Sequence, residues 1–162
     1  MTKTLSITLL AILALGGIVW LGKLRVDRPA INNAPGAFTL ERSLHDFGRI
    51  SMAGGDVSTT FSVMNETSTD ILVKNIFTSC MCTVAYISGG ESEKGPFGMP
   101  GHGGPSGASD ELVKAGESRK IEVIFDPAAH GPAGIGKVER IISLEDSLGR
   151  VTELKFSAFV TP

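Results

Sequence analysis

Aromatic side chains are scarce in this sequence: eight Phe, one Tyr and one Trp among 162 residues. The single Trp20 falls in the N-terminal apolar run, so the folded part beyond it must be packed by Val, Ile, Leu and Phe. Excess charge of one sign is missing as well. Fifteen Lys and Arg stand against seventeen Asp and Glu, a formal net of −2. With no basic stripe there is no electrostatic footprint for nucleic acid, and nucleic acid is not an expected partner. Catalytic signatures are absent too. The chain has no G-x-S-x-G elbow, no phosphate loop and no paired carboxylates with a plausible cleft, and its glycines lack dinucleotide spacing. An enzyme is not expected. Cysteine is nearly missing, at two residues, and those two lie one residue apart.

One long hydrophobic run is present. Thr4 to Gly22 carries no charge, and as a helix it rises roughly 28 Å, about the thickness of a membrane's hydrocarbon core. Lys3 precedes it; Lys23, Arg25 and Arg28 come after, and Trp20 sits at the boundary where interfacial aromatics collect. No convincing A-x-A cleavage site lies beyond the run, and no cysteine near it could carry a lipid. Residues 1–24 are therefore expected to be a transmembrane anchor or signal-anchor. The positive residues after the run favour a cytoplasmic C-terminal side, but the three-residue tail with one Lys is the usual shape of a segment that exports the domain attached to it. The expectation is a single-pass cell-membrane protein with its domain on the extracytoplasmic side. Residues 25–36 have linker composition, with two prolines and two asparagines.

From Ala37 onward the pattern is that of strands. Asp56 to Asn65 alternates, with Val57, Thr59, Phe61 and Val63 on one face. Ile71 to Thr78 is rich in β-branched residues, and Thr83 to Ile87 continues beyond the cysteines. Ser118 to Asp126 places Ile121, Val123 and Phe125 inward. Lys137 to Asp146 and Arg150 to Thr161 flank a turn at Ser147-Leu148-Gly149, with Leu154, Phe156, Ala158 and Val160 alternating inward. About seven short strands with turn signals between them argue an all-β domain over residues 37–162, an immunoglobulin-like β-sandwich. It is interrupted by a Gly-rich insert at residues 88–110, expected to be its least ordered part.

The chemistry gathers at Ser79-Cys80-Met81-Cys82-Thr83. Side chains at i and i+2 of an extended strand share a face, so Cys80 and Cys82 could hold one soft metal ion. The insert adds the Met99 thioether and the His102 imidazole. Thiolate, thioether and imidazole together prefer Cu(I) to Mg or Ca, and zinc rarely recruits methionine. If strands alternate in direction, His130 lies at the cysteine end of the sandwich, while the insert starts from the other end. A loop of roughly twenty residues can still fold back, at about 3.3 Å per residue, which makes His102 and His130 rival ligands. Bland readings stand beside these. The cysteines could be small buried side chains or a short-loop disulfide, since an exported location favours oxidation. A strand holds i and i+2 Cα atoms near the upper limit for a bridge, so a disulfide would need a tight turn. Met99 and His102 could belong to a loop that only fills space, and His130 could be solvated.

Five motifs then occur in order: His45-Asp46-Phe47-Gly48-Arg49-Ile50, Phe61-Ser62-Val63-Met64-Asn65 with Ile71-Leu72, Cys80-Met81-Cys82-Thr83, Ala115-Gly116-Glu117-Ser118 and Phe125-Asp126-Pro127. In them the chain resembles the bacterial family of exported proteins of unknown function with a D-F-G-x-[IV] start and a C-G-C-T turn. Members of that family resemble the immunoglobulin-like sandwiches of the abnormal-spindle and hydin type. Met81 stands where the family has glycine, and the insert is long. The resemblance implies fold and export, and no activity. Two functions are expected from these readings: an anchored extracytoplasmic binding module with a protein partner, or a copper-binding or thiol-redox protein using Cys80 and Cys82.

Overall fold

A computed structural model describes residues 36–89, 92–101 and 107–162. The N-terminal run and His102 lie outside the described residues. Among the described residues no helix is long and apolar enough to cross a membrane. Ten strands form: β1 (Thr39–Leu40), β2 (Leu44–Ser51), β3 (Val57–Met64), β4 (Ile71–Thr78), β5 (Thr83–Gly89), β6 (Ser92–Phe97), β7 (Ala108–Val113), β8 (Ser118–Phe125), β9 (Gly136–Asp146) and β10 (Val151–Thr161). They make two five-stranded sheets, β1-β3-β8-β5-β6 and β2-β10-β9-β4-β7. Pairing is antiparallel except between β2 and β10, which run parallel.

Alternation decides which face of each strand is buried. Phe61 and Val63 on β3, Ile121, Val123 and Phe125 on β8, and Leu154, Phe156, Ala158 and Val160 on β10 all face one core. Phe125 of one sheet meets Phe156 of the other with ring centroids 5.1 Å apart. On β4 the alternation breaks. A register shift between Val73 and Asn75, seen against both neighbouring strands, moves Lys74 outward and lets Val73 and Ile76 both point inward. Such a bulge adds one residue to one strand and changes its side-chain parity.

The start motif is explained in the same way. The β2–β10 pairing slips between Ser157 and Phe159, and Gly48, at φ +67°, takes the left-handed conformation that the bulge requires. Asp46 Oδ1 accepts from Gly48 N at 3.0 Å and from Ser157 Oγ at 2.9 Å. These two bonds, the backbone one first, hold the Asp46 carboxyl below its usual range. Phe47 packs edge-on against Phe156 at 5.4 Å. His45 meets the Phe47 ring edge-on at 4.5 Å, a packing contact. Buried Asn65 closes the β3–β4 turn, donating to Thr69 O and Val113 O and accepting from Thr67.

The strand count differs from expectation: ten strands among the described residues stand where about seven were expected. The described parts of the insert contribute β6, which extends the first sheet beside β5, and the start of β7, which extends the second beside β4. Both are edge strands, paired on one side only, so they need no continuous apolar face. β6 tolerates Pro96 for that reason, and a Cβ on Gly95 would approach the Tyr86 ring within 2.7 Å. What seals the open side of the sandwich is charge. Buried Glu111 of β7 pairs with Lys94 of β6 at 2.8 Å and with Arg119 of β8 at 2.8 Å. Lys94 also donates to the carbonyls of Ser109 and Asp110, and Arg119 to that of Leu112.

Burial alone would raise the pKa of Glu111, but the bonds from Lys94 and Arg119 outweigh it and hold the carboxyl below its usual range. A depressed folded pKa gives stability that is complete above the ordinary glutamate value of about 4.3 and fades as pH falls below it. Glu111→Gln is therefore expected to cost about 1–3 kcal/mol at neutral pH. It should also flatten the acid side of the stability–pH curve, read by urea unfolding at pH 7 and pH 4. A curve parallel to wild type would remove Glu111 from the acid response.

The described residues all belong to one compact unit. A chain beginning at Ala37 is expected to fold alone with an all-β circular dichroism spectrum. Substantial helix in that spectrum would contradict the fold.

Candidate functional site

The cysteines do not lie on a strand, as their spacing suggests. They occupy the turn that carries the chain from β4 in one sheet to β5 in the other, at one end of the sandwich. Several bonds hold that turn. Ser79 exchanges bonds with Ile141 of β9, its N donating to Ile141 O and its Oγ accepting from Ile141 N. Thr83 N donates to Cys80 O, and Asp126 N, just past β8, donates to Cys82 O. The buried Thr78 hydroxyl lies 3.0 Å from the carbonyls of both Cys80 and Thr83. The turn brings the cysteine Cα atoms to 5.3 Å, and their sulfurs are joined as a disulfide. That distance is common for a bridge; an extended strand would hold the pair farther apart.

Parity places His130 correctly. The loop between β8 and β9 is turned by Asp126, whose Oδ1 accepts from Ala128 N at 2.7 Å, and by Gly131 at φ +55°. His130 stands at the tip of this loop, exposed, with Nε2 3.0 Å from Cys80 Sγ. A bridged sulfur carries no hydrogen, so the ring nitrogen donates. The donor atoms of Cys80, Cys82 and His130 all lie within 4.8 Å of one another.

Met99 arrives by another route. β6 runs back antiparallel to β5 and returns the chain to the cysteine end, where Thr78 N donates to Gly98 O at 3.2 Å. The next residue is Met99, half-buried. It shares with Ser79, Cys80, Met81, His130 and Arg140 the lining of an open cavity of about 380 Å³. Four of the five sequence candidates, Cys80, Cys82, Met99 and His130, thus meet at one end of the sandwich.

Arg140 is the member that the sequence pattern did not single out. Its Nε donates to Cys82 Sγ at 3.3 Å, and a second guanidinium nitrogen donates to Glu139 O. Burial pulls its pKa below the usual value, although a guanidinium remains charged at any ordinary pH. A signal was present. Val138, Ile142 and Leu144 share one parity on β9 and face the core, and Arg140 sits in the same register. A cation on an inward position marks a place where something inside needs it.

The chain's described fold has counterparts among solved structures. A protein of unknown function from Porphyromonas gingivalis W83 superposes with a TM-score of 0.54 at 15% identity, over 82% of this chain and 51% of that one. The chain thus spans about half the length of that protein, and at this identity the likeness concerns the fold alone. The secreted serine protease VesC from Vibrio cholerae gives 0.49 at 13% identity, over 82% of this chain and 25% of that one. The ASH/PapD-like domain 7 of human CEP192 gives 0.44 at 10%, over 78% and 87%. Residues 38–96 match the family described as protein of unknown function (DUF1573), a span that includes the cysteine turn but stops before His130 and Arg140. No curated protein matches the chain.

Proposed function

We propose that the protein is an immunoglobulin-like binding module, held outside the cytoplasm by its N-terminal apolar run, that carries one Cu(I) ion at Cys80, Cys82 and His130. The observation that carries this reading is the convergence of two sulfurs and one imidazole nitrogen within 4.8 Å, beside a cavity that Met99 also lines. Soft sulfur donors select Cu(I) over hard cations. An ion between two thiolates carries net negative charge, and Arg140 stands against the Cys82 sulfur to offset it. His130 would bind through Nε2, which turns its proton to Nδ1. Copper enters only after the disulfide has been reduced. Met81, 56% exposed at the rim, leaves an apolar contact beside the ion for a protein partner.

Titration of reduced full-length protein, in detergent, with Cu(I) against a competing chelator tests the reading. One tightly held ion per chain is expected; no competition with the chelator would leave an interaction module without metal chemistry. A purely structural role for the bridge makes a different demand. A disulfide that closes a loop this short stabilises by under about 2 kcal/mol in the chain-entropy treatment. Replacing both cysteines by serine should therefore leave the fold intact, with a loss of stability within that bound. A loss well beyond it would recast the pair as a structural clasp.

A further inference from the structure

We infer that the Cys80–Cys82 disulfide is a site of thiol–disulfide exchange with a fixed polarity: an incoming thiolate attacks Cys80, and Cys82 leaves as the thiolate. This activity goes beyond copper binding and stands without it. Three observations set the direction. Cys80 lines the open cavity and Cys82 does not, so a thiol carried on a small peptide reaches Cys80 first. Cys82 is the sulfur that receives a charged donor, Arg140 Nε at 3.3 Å, with the Thr83 hydroxyl 3.7 Å away. A guanidinium hydrogen bond strengthens as negative charge develops on its acceptor, and a better-stabilised leaving thiolate departs faster. Cys80 receives the His130 ring N–H at 3.0 Å and the Cys82 backbone N–H at 3.4 Å, neither of which carries the permanent charge that the guanidinium brings to Cys82.

The step balances with two thiols, or with both thiols of one dithiol. The first thiolate forms a bond to Cys80 Sγ while the Cys80–Cys82 bond breaks and its electron pair passes to Cys82, which takes a proton from solvent. The second thiolate attacks the incoming sulfur of the mixed disulfide. Cys80 then leaves as a thiolate and is protonated in turn. The thiols are oxidised to their disulfide by two electrons, and the protein pair is reduced to the dithiol. That product is the form in which the proposed copper site opens.

The test uses oxidised full-length protein, glutathione as the thiol, and a rapid quench with N-ethylmaleimide followed by peptide mapping. Glutathione on Cys80 and maleimide on Cys82 is the expected pattern. Glutathione on Cys82, an even split or no adduct would overturn the inference. Arg140→Gln should slow opening by about tenfold or more, the loss of a charge-assisted bond to the leaving thiolate. Arg140→Lys should recover part of the rate. An Arg140→Gln variant with a native circular dichroism spectrum and an unchanged rate would also count against it. Cu(I) titration of chemically reduced protein runs in parallel. Failure to bind copper with correct adduct mapping sinks only the copper reading; copper binding with wrong mapping sinks only the exchange.

Discussion

Cys80→Ser and Cys82→Ser, each studied reduced, are expected to lose Cu(I) affinity by at least about a hundredfold, or ~2.7 kcal/mol. Two thiolates on one short turn chelate without ordering any further chain, because the turn is already tied to β9 through Ser79 and to the end of β8 through Asp126. Removing either thiolate breaks that chelation and also removes anionic charge that Arg140 faces. His130→Ala should cost less, about tenfold, since the imidazole is exposed on a loop tip and water can take its place. Met99→Leu tests whether the thioether on the cavity wall closes the shell. Competition titrations under one set of reducing conditions rank the four variants. Equal small losses in both cysteine variants would mean that copper sits elsewhere.

Phe156→Ala is expected to destabilise the domain by about 3–5 kcal/mol, the range for a fully buried phenylalanine. Its ring is completely buried and touches Phe47 of its own sheet and Phe125 of the opposite one, so its loss opens a cavity where the two sheets face each other. Phe159 lies further along the same strand, past the bulge, 43% exposed and under the Arg49 guanidinium at 4.7 Å. Phe159→Ala should cost under about 1 kcal/mol, as surface changes do. Urea unfolding of both variants gives the contrast. Similar losses at the two positions would mean that the sheets do not pack face to face as described.

Much of the sandwich was legible because a half-buried strand writes its inward face at every second residue. Phe61 and Val63, Ile121 to Phe125, and Leu154 to Val160 all read as inward-facing by alternation, and the apolar residues on that face are buried. The edge strands were not legible. Ser92–Phe97 has no apolar alternation to read, because Phe97 alone of its residues is buried in the core and Lys94 turns instead to Glu111. The parallel run of β2 beside β10 also leaves no mark in a local pattern. Within the site, strand parity correctly brought His130 to the cysteines. Spacing alone misplaced the cysteines on a strand, since the Ser79-to-Ile141 bonds that make their turn come from a distant part of the chain. Arg140 escaped notice because its place in the site shows only when its parity is set against Val138 and Ile142.

The coordination of the ion itself is the most direct test of the copper site. Copper K-edge X-ray absorption on reduced, Cu(I)-loaded full-length protein should show an edge typical of Cu(I), two sulfur scatterers and one imidazole nitrogen, with the nitrogen signal lost in His130→Ala. A shell of nitrogen and oxygen alone, or one unchanged when Cys80 and Cys82 are replaced by serine, would contradict it.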